Sequence, residues 1–214
     1  MSSPLSGRRA EAARNDVRIL ESARAVFVAD PSAPIADVAR HAGVGIGALY
    51  RRYASKDDLL RELCADGLRR YIAAAEDAVG DDGDAWVSFE RFMRAEVDAD
   101  AASLTRRLAG TFEPTPELYE MAEHAGRLNV AIFERTRAAG AIRADAEVTD
   151  LGLIFEQLAA LRLGDADRTL ELRRRYLALV LDGLRARPGG QQPPLPGPPP
   201  SSDELTERWR PRAR

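Results

Sequence analysis

The residues whose types and spacing carry chemistry gather in one stretch, IADVARHAGVGIGALYRRYASKDDL, running from Ile35 to Leu59. It ends in an adjacent arginine pair, Arg51 and Arg52, followed by Lys56. A guanidinium fork can hold guanine O6 and N7 together, so arginines at the end of a short helix suit the edge of a base pair. Bond-breaking chemistry has no comparable foothold. There is no HExxH, P-loop or GxSxG pattern, and the carboxylates fall in solvated runs such as Asp57-Asp58 and Asp81-Asp82. Cys64 stands alone, and His41 and His124 are far apart in the chain, a poor ligand set for a metal. The sequence therefore predicts no catalytic residue, no metal and no cofactor.

Two helices and a tight corner must position these groups. Ile35, Val38 and Ala39 recur at i, i+3 and i+4 and give the first helix an inward face. Pro34 suits its first turn. Gly43 stands where the chain has to turn sharply, a conformation that costs glycine little. Val44 plugs the corner, and Gly45 to Tyr50 forms a short second helix anchored inward by Leu49. This is the pattern of a helix-turn-helix, Pro34 to Tyr53, whose second helix enters the major groove. A helix from Asn15 to Ala29 precedes it, with Ile19, Leu20, Ala23, Val26 and Phe27 as its apolar stripe, and the Asp30–Pro34 run stops it. Ser55 and Asp58 have the spacing of a capping box and open a helix from Lys56 to about Asp77.

The run Ala39-x-x-Ala42-Gly43-Val44-x-x-Gly47-x-Leu49-Tyr50-x-x-Tyr53-x-x-Lys56-x-x-Leu59, preceded by Ala25-Val26-Phe27, resembles the tetracycline-repressor (TetR) family over about residues 14–63. The resemblance implies an all-α fold: an N-terminal helix-turn-helix domain and a C-terminal helical domain for ligand binding and dimerisation. It implies that Tyr50 and Lys56 touch backbone phosphate and that Gly47 allows close approach to DNA. It makes Ile46, Ala48, Arg51 and Arg52 the candidates for the groove or its walls. Arg8, Arg9 and Arg14 become an arm that follows a phosphate strand or enters the minor groove. Departures are visible too. The family often carries Ser or Thr where Gly45 and Ala48 stand, histidine at Arg52 and phenylalanine at Tyr53. Missing hydroxyls shift the expected grip onto arginines and helix-terminus amides.

Charge is distributed in keeping with this. The chain of 214 residues has a net charge of -3, but residues 1–56 hold nine basic residues against five acidic ones, and residues 80–188 hold 15 against 20. Phosphate attraction decays over roughly 8–10 Å, so a local excess is what a small reading module needs. Of the 31 basic residues only Lys56 is lysine, the arginine bias of a GC-rich bacterial genome. No apolar run reaches the ~20 residues of a membrane span. No secretory h-region or cysteine pair is present, so the expectation is a cytoplasmic protein.

Beyond the hinge-like Gly80–Asp84, helices are expected near Trp86–Ala99, Ala101–Leu108, Pro116–Ala139, Thr149–Leu163 and Thr169–Arg187, with Gly140 as a left-handed stop and Thr149 as an N-cap. Trp86, Phe89, Met93, Phe112, Tyr119, Met121, His124, Phe133 and Phe155 are candidates to line an apolar ligand pocket. The last two helices carry Leu151, Ile154, Leu158, Leu170, Leu177, Leu181 and Leu184, and by resemblance pair with their copies across a two-fold axis. From Pro188 the Pro-rich composition predicts a disordered tail. The expected plan is a disordered basic arm over 1–13, a DNA-binding domain over 14–79, a ligand-binding and dimerisation domain over 80–187, and the tail over 188–214. The expected partners are double-stranded operator DNA, a second copy of the chain and a small, largely apolar effector that releases a repressor. An activator or a ligand-independent repressor with the same reader fits the sequence as well. A helical enzyme, or an adaptor acting through the tail, fits it less.

Overall fold

The computed structural model describes residues 4–100, 108, 111–187, 189 and 192–207, with side chains from Asn15 onward except at 202, 206 and 207. Among these, the regular elements are helices: α1 (Pro4–Ala29), α2 (Ile35–Ala42), α3 (Ile46–Arg52), α4 (Lys56–Val79), α5 (Ala85–Ala99), α6 (Pro116–Ala138), α7 (Val148–Ala160), α8 (Ala166–Leu184) and α9 (Ser202–Glu207). One isolated bridge, Ile142 to Arg185, ties the α6–α7 turn to the end of α8. No described helix is long and apolar enough to cross a membrane.

Two apolar cores organise the chain. The first joins Ile19, Ala23 and Phe27 of α1, Ile35, Val38 and Ala39 of α2, Leu49 of α3 and Leu59, Leu60 and Leu63 of α4. The second joins Ala75 and Ala78 of α4 to Trp86, Phe89, Phe92 and Met93 of α5, Ile132 and Phe133 of α6, Leu151, Phe155 and Leu158 of α7, and Leu177, Leu181 and Leu184 of α8. Helix α4 thus supplies one end to each core, so the boundary expected after residue 79 follows a helix that belongs to both. Each fully buried Leu or Phe contributes about 2 kcal/mol through lost apolar exposure.

The local signals explain the joints. Ser55 Oγ accepts from the Asp58 N–H at 3.1 Å and caps α4. Gly140, at φ 65, stands just beyond the last turn of α6. Helix α7 starts earlier than Thr149: Glu147 is its N-cap, and the Asp150 carboxylate accepts from the Glu147 N–H at 2.8 Å. Helix α8 likewise starts at Ala166, capped by Asp165, and ends at Leu184. The hinge expected at Gly80–Asp84 is pinned. Asp81 accepts from the Gly83 N–H, the Ser88 hydroxyl and Arg91, which holds its carboxyl down at about 2, while Arg135 donates to Ala78 O and Gly83 O.

Both chain ends differ from expectation. Helix α1 begins at Pro4, so the arm expected to be disordered over residues 1–13 is helical from there on. The tail is not wholly loose either. Leu195 N–H donates to Asp145 at 2.7 Å, Arg143 donates to Pro193 O at 2.8 Å, and Gln192 donates to Arg185 O at 3.0 Å. Proline-rich chain keeps its carbonyls as acceptors, and here an arginine takes one up. The helix expected over Ala101–Leu108 lies outside the described residues except for Leu108, which packs in the first core.

Candidate nucleic-acid interface

The corner between α2 and α3 is built by backbone conformation. Gly43 adopts φ 65 and ψ 33, and its N–H closes α2 onto Ala39 O and Arg40 O. A side chain there would be strained, whereas glycine enters this region at no steric cost. Arg18 on α1 donates to Ala42 O at 2.9 Å and fixes the corner from the other side. Leu49, fully buried, is the anchor of α3. Every other residue from Gly45 to Arg52 is exposed, including Ile46 at 43% and Tyr50 at 48%. An apolar and an aromatic side chain left in solvent on a rigidly held helix mark a contact surface.

The glycines of α3 meet no demand from the protein itself. A Cβ at Gly45 would touch nothing within 4 Å, and one at Gly47 would meet only the tip of Arg51 at 3.9 Å. Gly45 is also the N-cap, and α3 consequently lacks a side-chain cap. The first N–H groups of the helix therefore have no side-chain acceptor at the cap.

The basic residues divide. Arg51 is exposed on α3, whereas Arg52 is held by Asp16 of α1 at 3.0 Å and lies 5.1 Å over the Tyr53 ring. Lys56 is turned inward: its ammonium donates to Pro31 O at 3.0 Å and Ala33 O at 2.8 Å and sits 5.0 Å over the Phe27 ring. An ammonium has three donors, so one N–H at most remains for a phosphate. The main duty of Lys56 in this structure is to close the α1–α2 turn. The side chain of Arg14 lies outside the described ones. Tyr53, where the family often carries phenylalanine, buries its hydroxyl without a hydrogen-bond partner among the described residues.

The residues expected around a ligand are brought together only in part. Trp86, Phe89, Met93, Phe133 and Phe155 meet in the second core and fill it. Phe112 packs against the first core instead, Tyr119 is 58% exposed, and Met121 and His124 are half-buried, His124 beside Glu76 at 3.2 Å. Aromatic type alone does not distinguish a cavity wall from packing. Phe155 also borders a small cleft edged by Glu96, Asp100 and Arg173. Glu96 went unnoticed in the sequence, although a signal was there: it extends the apolar spacing of Phe89, Phe92 and Met93 along the buried stripe of α5. Of the residues expected at a dimer interface, Leu151, Leu158, Leu177, Leu181 and Leu184 are buried within the chain, and Ile154 and Leu170 are half-buried. The outward apolar side chains of α8 are Tyr176, 47% exposed, and Leu179, 61% exposed.

Comparison with known proteins places both halves. The model of bacterial regulatory proteins of the tetR family matches residues 19–63. The model of the C-terminal domain of SbtR-like transcriptional regulators matches residues 81–186. Among solved structures, a TetR transcription regulatory protein of Mycobacterium vanbaalenii is 27% identical, with 83% of this chain and 99% of that one covered at a TM-score of 0.55. A TetR regulator of Streptomyces coelicolor is 26% identical over 80% of this chain and 98% of its own, with a TM-score of 0.56. The fold is also similar to that of LfrR of Mycobacterium smegmatis, solved in complex with proflavine: 22% identity, 78% and 95% coverage, TM-score 0.56. No curated protein matches the chain.

Proposed function

Because the chain belongs to the TetR family of DNA-binding transcriptional regulators, we propose that it is a cytoplasmic homodimeric repressor, released from its operator by a small, largely apolar ligand. The exposed outer face of α3, held rigid by Leu49 and Gly43, is the observation that carries the DNA-reading part. Arg51 is the base reader on this proposal, because Arg52 is engaged by Asp16. Tyr50 and the α3 amides take phosphate. One such helix reads few base pairs, so two copies must present theirs about one DNA turn apart. Tyr176 and Leu179 on α8 lie one turn apart and extend to Val180, an apolar strip suited to an isologous pairing with a second copy. Helix α4, rooted in both cores, is the lever between ligand and DNA. The proflavine complex of LfrR supports a small organic molecule as the releasing signal.

The test is binding of the full chain to DNA selected from a random pool, followed by fluorescence anisotropy. Arg51→Ala should relax specificity at one position of each half-site, and Arg51→Ala with Arg52→Ala should abolish specific binding. Intact specific binding by the double variant would overturn the assignment of α3. Leu179→Glu should give a monomer by light scattering that no longer holds the operator.

A further inference from the structure

The positive charge that α2 and α3 could offer to DNA is partly compensated within the chain. Arg40 of α2 pairs with Asp37 one turn before it, at 2.9 Å. Arg52 of α3 pairs with Asp16, which reaches it from α1. Arg51, its neighbour on α3, is exposed and forms no ion pair with a described residue. The pair between α1 and α3 is the one that asks for a reason. Both of its side chains are open to water, Arg52 at 52% and Asp16 at 32%, and exposed ion pairs stabilise a fold by little.

The contact nonetheless fixes the arginine on two sides. Arg52 Nε donates to Asp16 Oδ2 at 3.0 Å, and the guanidinium lies 5.1 Å over the Tyr53 ring. Tyr53 is itself buried, and its N–H closes α3 onto Leu49 O at 2.8 Å, so the ring on which Arg52 rests is anchored in the core. A carboxylate at this place works against a surface that approaches phosphates. It repels them across the same ~8–10 Å over which Arg52 attracts them. Neither fold stability nor attraction to DNA accounts for Asp16, and discrimination between DNA sequences does.

Affinity for arbitrary duplex rises with each cation that displaces counterions from phosphate, and this attraction carries no sequence information. A neutral ion pair adds almost nothing to it. We propose that Asp16 is a specificity-determining residue of the DNA reader: by neutralising and anchoring Arg52 it lowers affinity for non-operator DNA and so widens the preference for the operator. The inference rests on the reading of α3 given above. Asp16 acts through Arg52 as a positioning residue and needs no contact with the duplex. With Arg52 held, α3 meets DNA through Arg51 as its freely directed guanidinium, and a misplaced helix gains little from a second cation searching for phosphates.

The experiment is fluorescence anisotropy of the full-length chain on two duplexes, between about 50 and 200 mM salt. One is an operator selected from a random pool, and the other is a shuffled duplex of the same length and composition. Asp16→Asn keeps the size of the side chain and removes its charge. It should tighten binding to the shuffled duplex about threefold or more at the lower salt and steepen the salt dependence by about one counterion. Operator binding should tighten less, because base contacts fix α3 in one register there and a loosened Arg52 cannot choose its phosphate. In the Arg52→Gln background the same substitution should change binding to the shuffled duplex much less, since no cation is left to free. Thermal melts establish that each variant folds. An unchanged salt dependence in Asp16→Asn overturns the proposal. So does an equal gain with and without Arg52, which would make Asp16 one surface charge among others. The two readings separate on the wild-type chain. If it binds neither duplex, the α3 reader is refuted and the role of Asp16 with it; if it prefers its operator and is indifferent to Asp16→Asn, the role of Asp16 alone is refuted.

Discussion

The N-terminal core and the C-terminal core differ in what they bury. Around α1–α3 the interior is aliphatic, with Phe27 and Tyr53, and Ser22 is the one polar residue among its described buried positions. Around α5–α8 the interior also takes in Ser88, Glu96, Thr136 and Arg173. A dry core with one arrangement holds a reading helix at fixed geometry. A core with charges that can exchange partners has the raw material for a second arrangement, because buried polar groups are tightly coupled to one another and to any ligand that reaches them.

The largest effect that tests the contrast is in the dry core. Phe27 is fully buried, packed in the α1–α4 core under the Lys56 ammonium. Phe27→Ala leaves a cavity with no route to refill it and should cost about 3–5 kcal/mol. Urea melts followed by circular dichroism check this. A single transition, shifted as a whole, would show that α4 couples the two cores; a split transition would show that the C-terminal core stands without the first.

Arg173→Ala is the matching test in the polar core. It strands Asp100 and two α7 carbonyls, and the loss of a buried ion pair's partner should cost about 3 kcal/mol. Arg173→Lys should recover only part, since an ammonium cannot span the three acceptors as the planar fork does. Full recovery by lysine would mean that charge alone, and not the joint between α5 and α7, is what the arginine supplies.

Glu96 gives a smaller effect with a defined pH sign. Burial pushes its carboxyl from 4.5 up to about 8; Tyr71 of α4, Asp100 and Arg173 are the titratable neighbours identified around it. The folded chain therefore binds more protons at this site than the unfolded chain does between these pH values. Stability should fall as pH rises through that window and level off above about 8. Glu96→Gln should remove this slope and be more stable than wild type at alkaline pH by a few kcal/mol. Parallel pH curves for the two proteins would contradict it.

Local constraints were legible in the sequence, and long-range ones were not. The α2–α3 corner could be read because Ile35, Val38, Gly43 and Leu49 each answer to neighbours within a few residues. Gly140 and Ser55 mark helix ends for the same reason. A helical stripe tells that a face is buried but not against what. Leu151, Leu158, Leu177, Leu181 and Leu184 therefore read equally as interface or interior, and they are interior. Lys56 reads as a surface cation until α1 and its turn are placed beside it, when the carbonyls of Pro31 and Ala33 take its ammonium. Phe112 joins the first core from beyond the second domain's expected boundary, a contact no periodicity encodes.

The smallest expected effect is a gain. Tyr53 is 4% exposed, and its hydroxyl has no hydrogen-bond partner. Removing that hydroxyl keeps the ring, the stacked Arg52 at 5.1 Å and the α3 C-cap, which is the Tyr53 N–H donating to Leu49 O at 2.8 Å. Tyr53→Phe should therefore stabilise the chain by about 1 kcal/mol, the cost of a buried unsatisfied group, and raise the melting temperature. A loss of stability instead would mean that the hydroxyl is satisfied in solution. The comparison with Glu96→Gln is the sharper use of this variant. The first removes a buried hydroxyl and the second a buried carboxyl that would have to ionise, so both should stabilise at alkaline pH. Tyr53→Phe should leave operator binding as it is, because that hydroxyl makes no contact outside the N-terminal core. Glu96→Gln should likewise leave operator binding intact, and it alone should change how stability depends on pH between about 4.5 and 8. If the two variants showed the same dependence of stability on pH, the polar residues of the C-terminal core would be no more than imperfect packing.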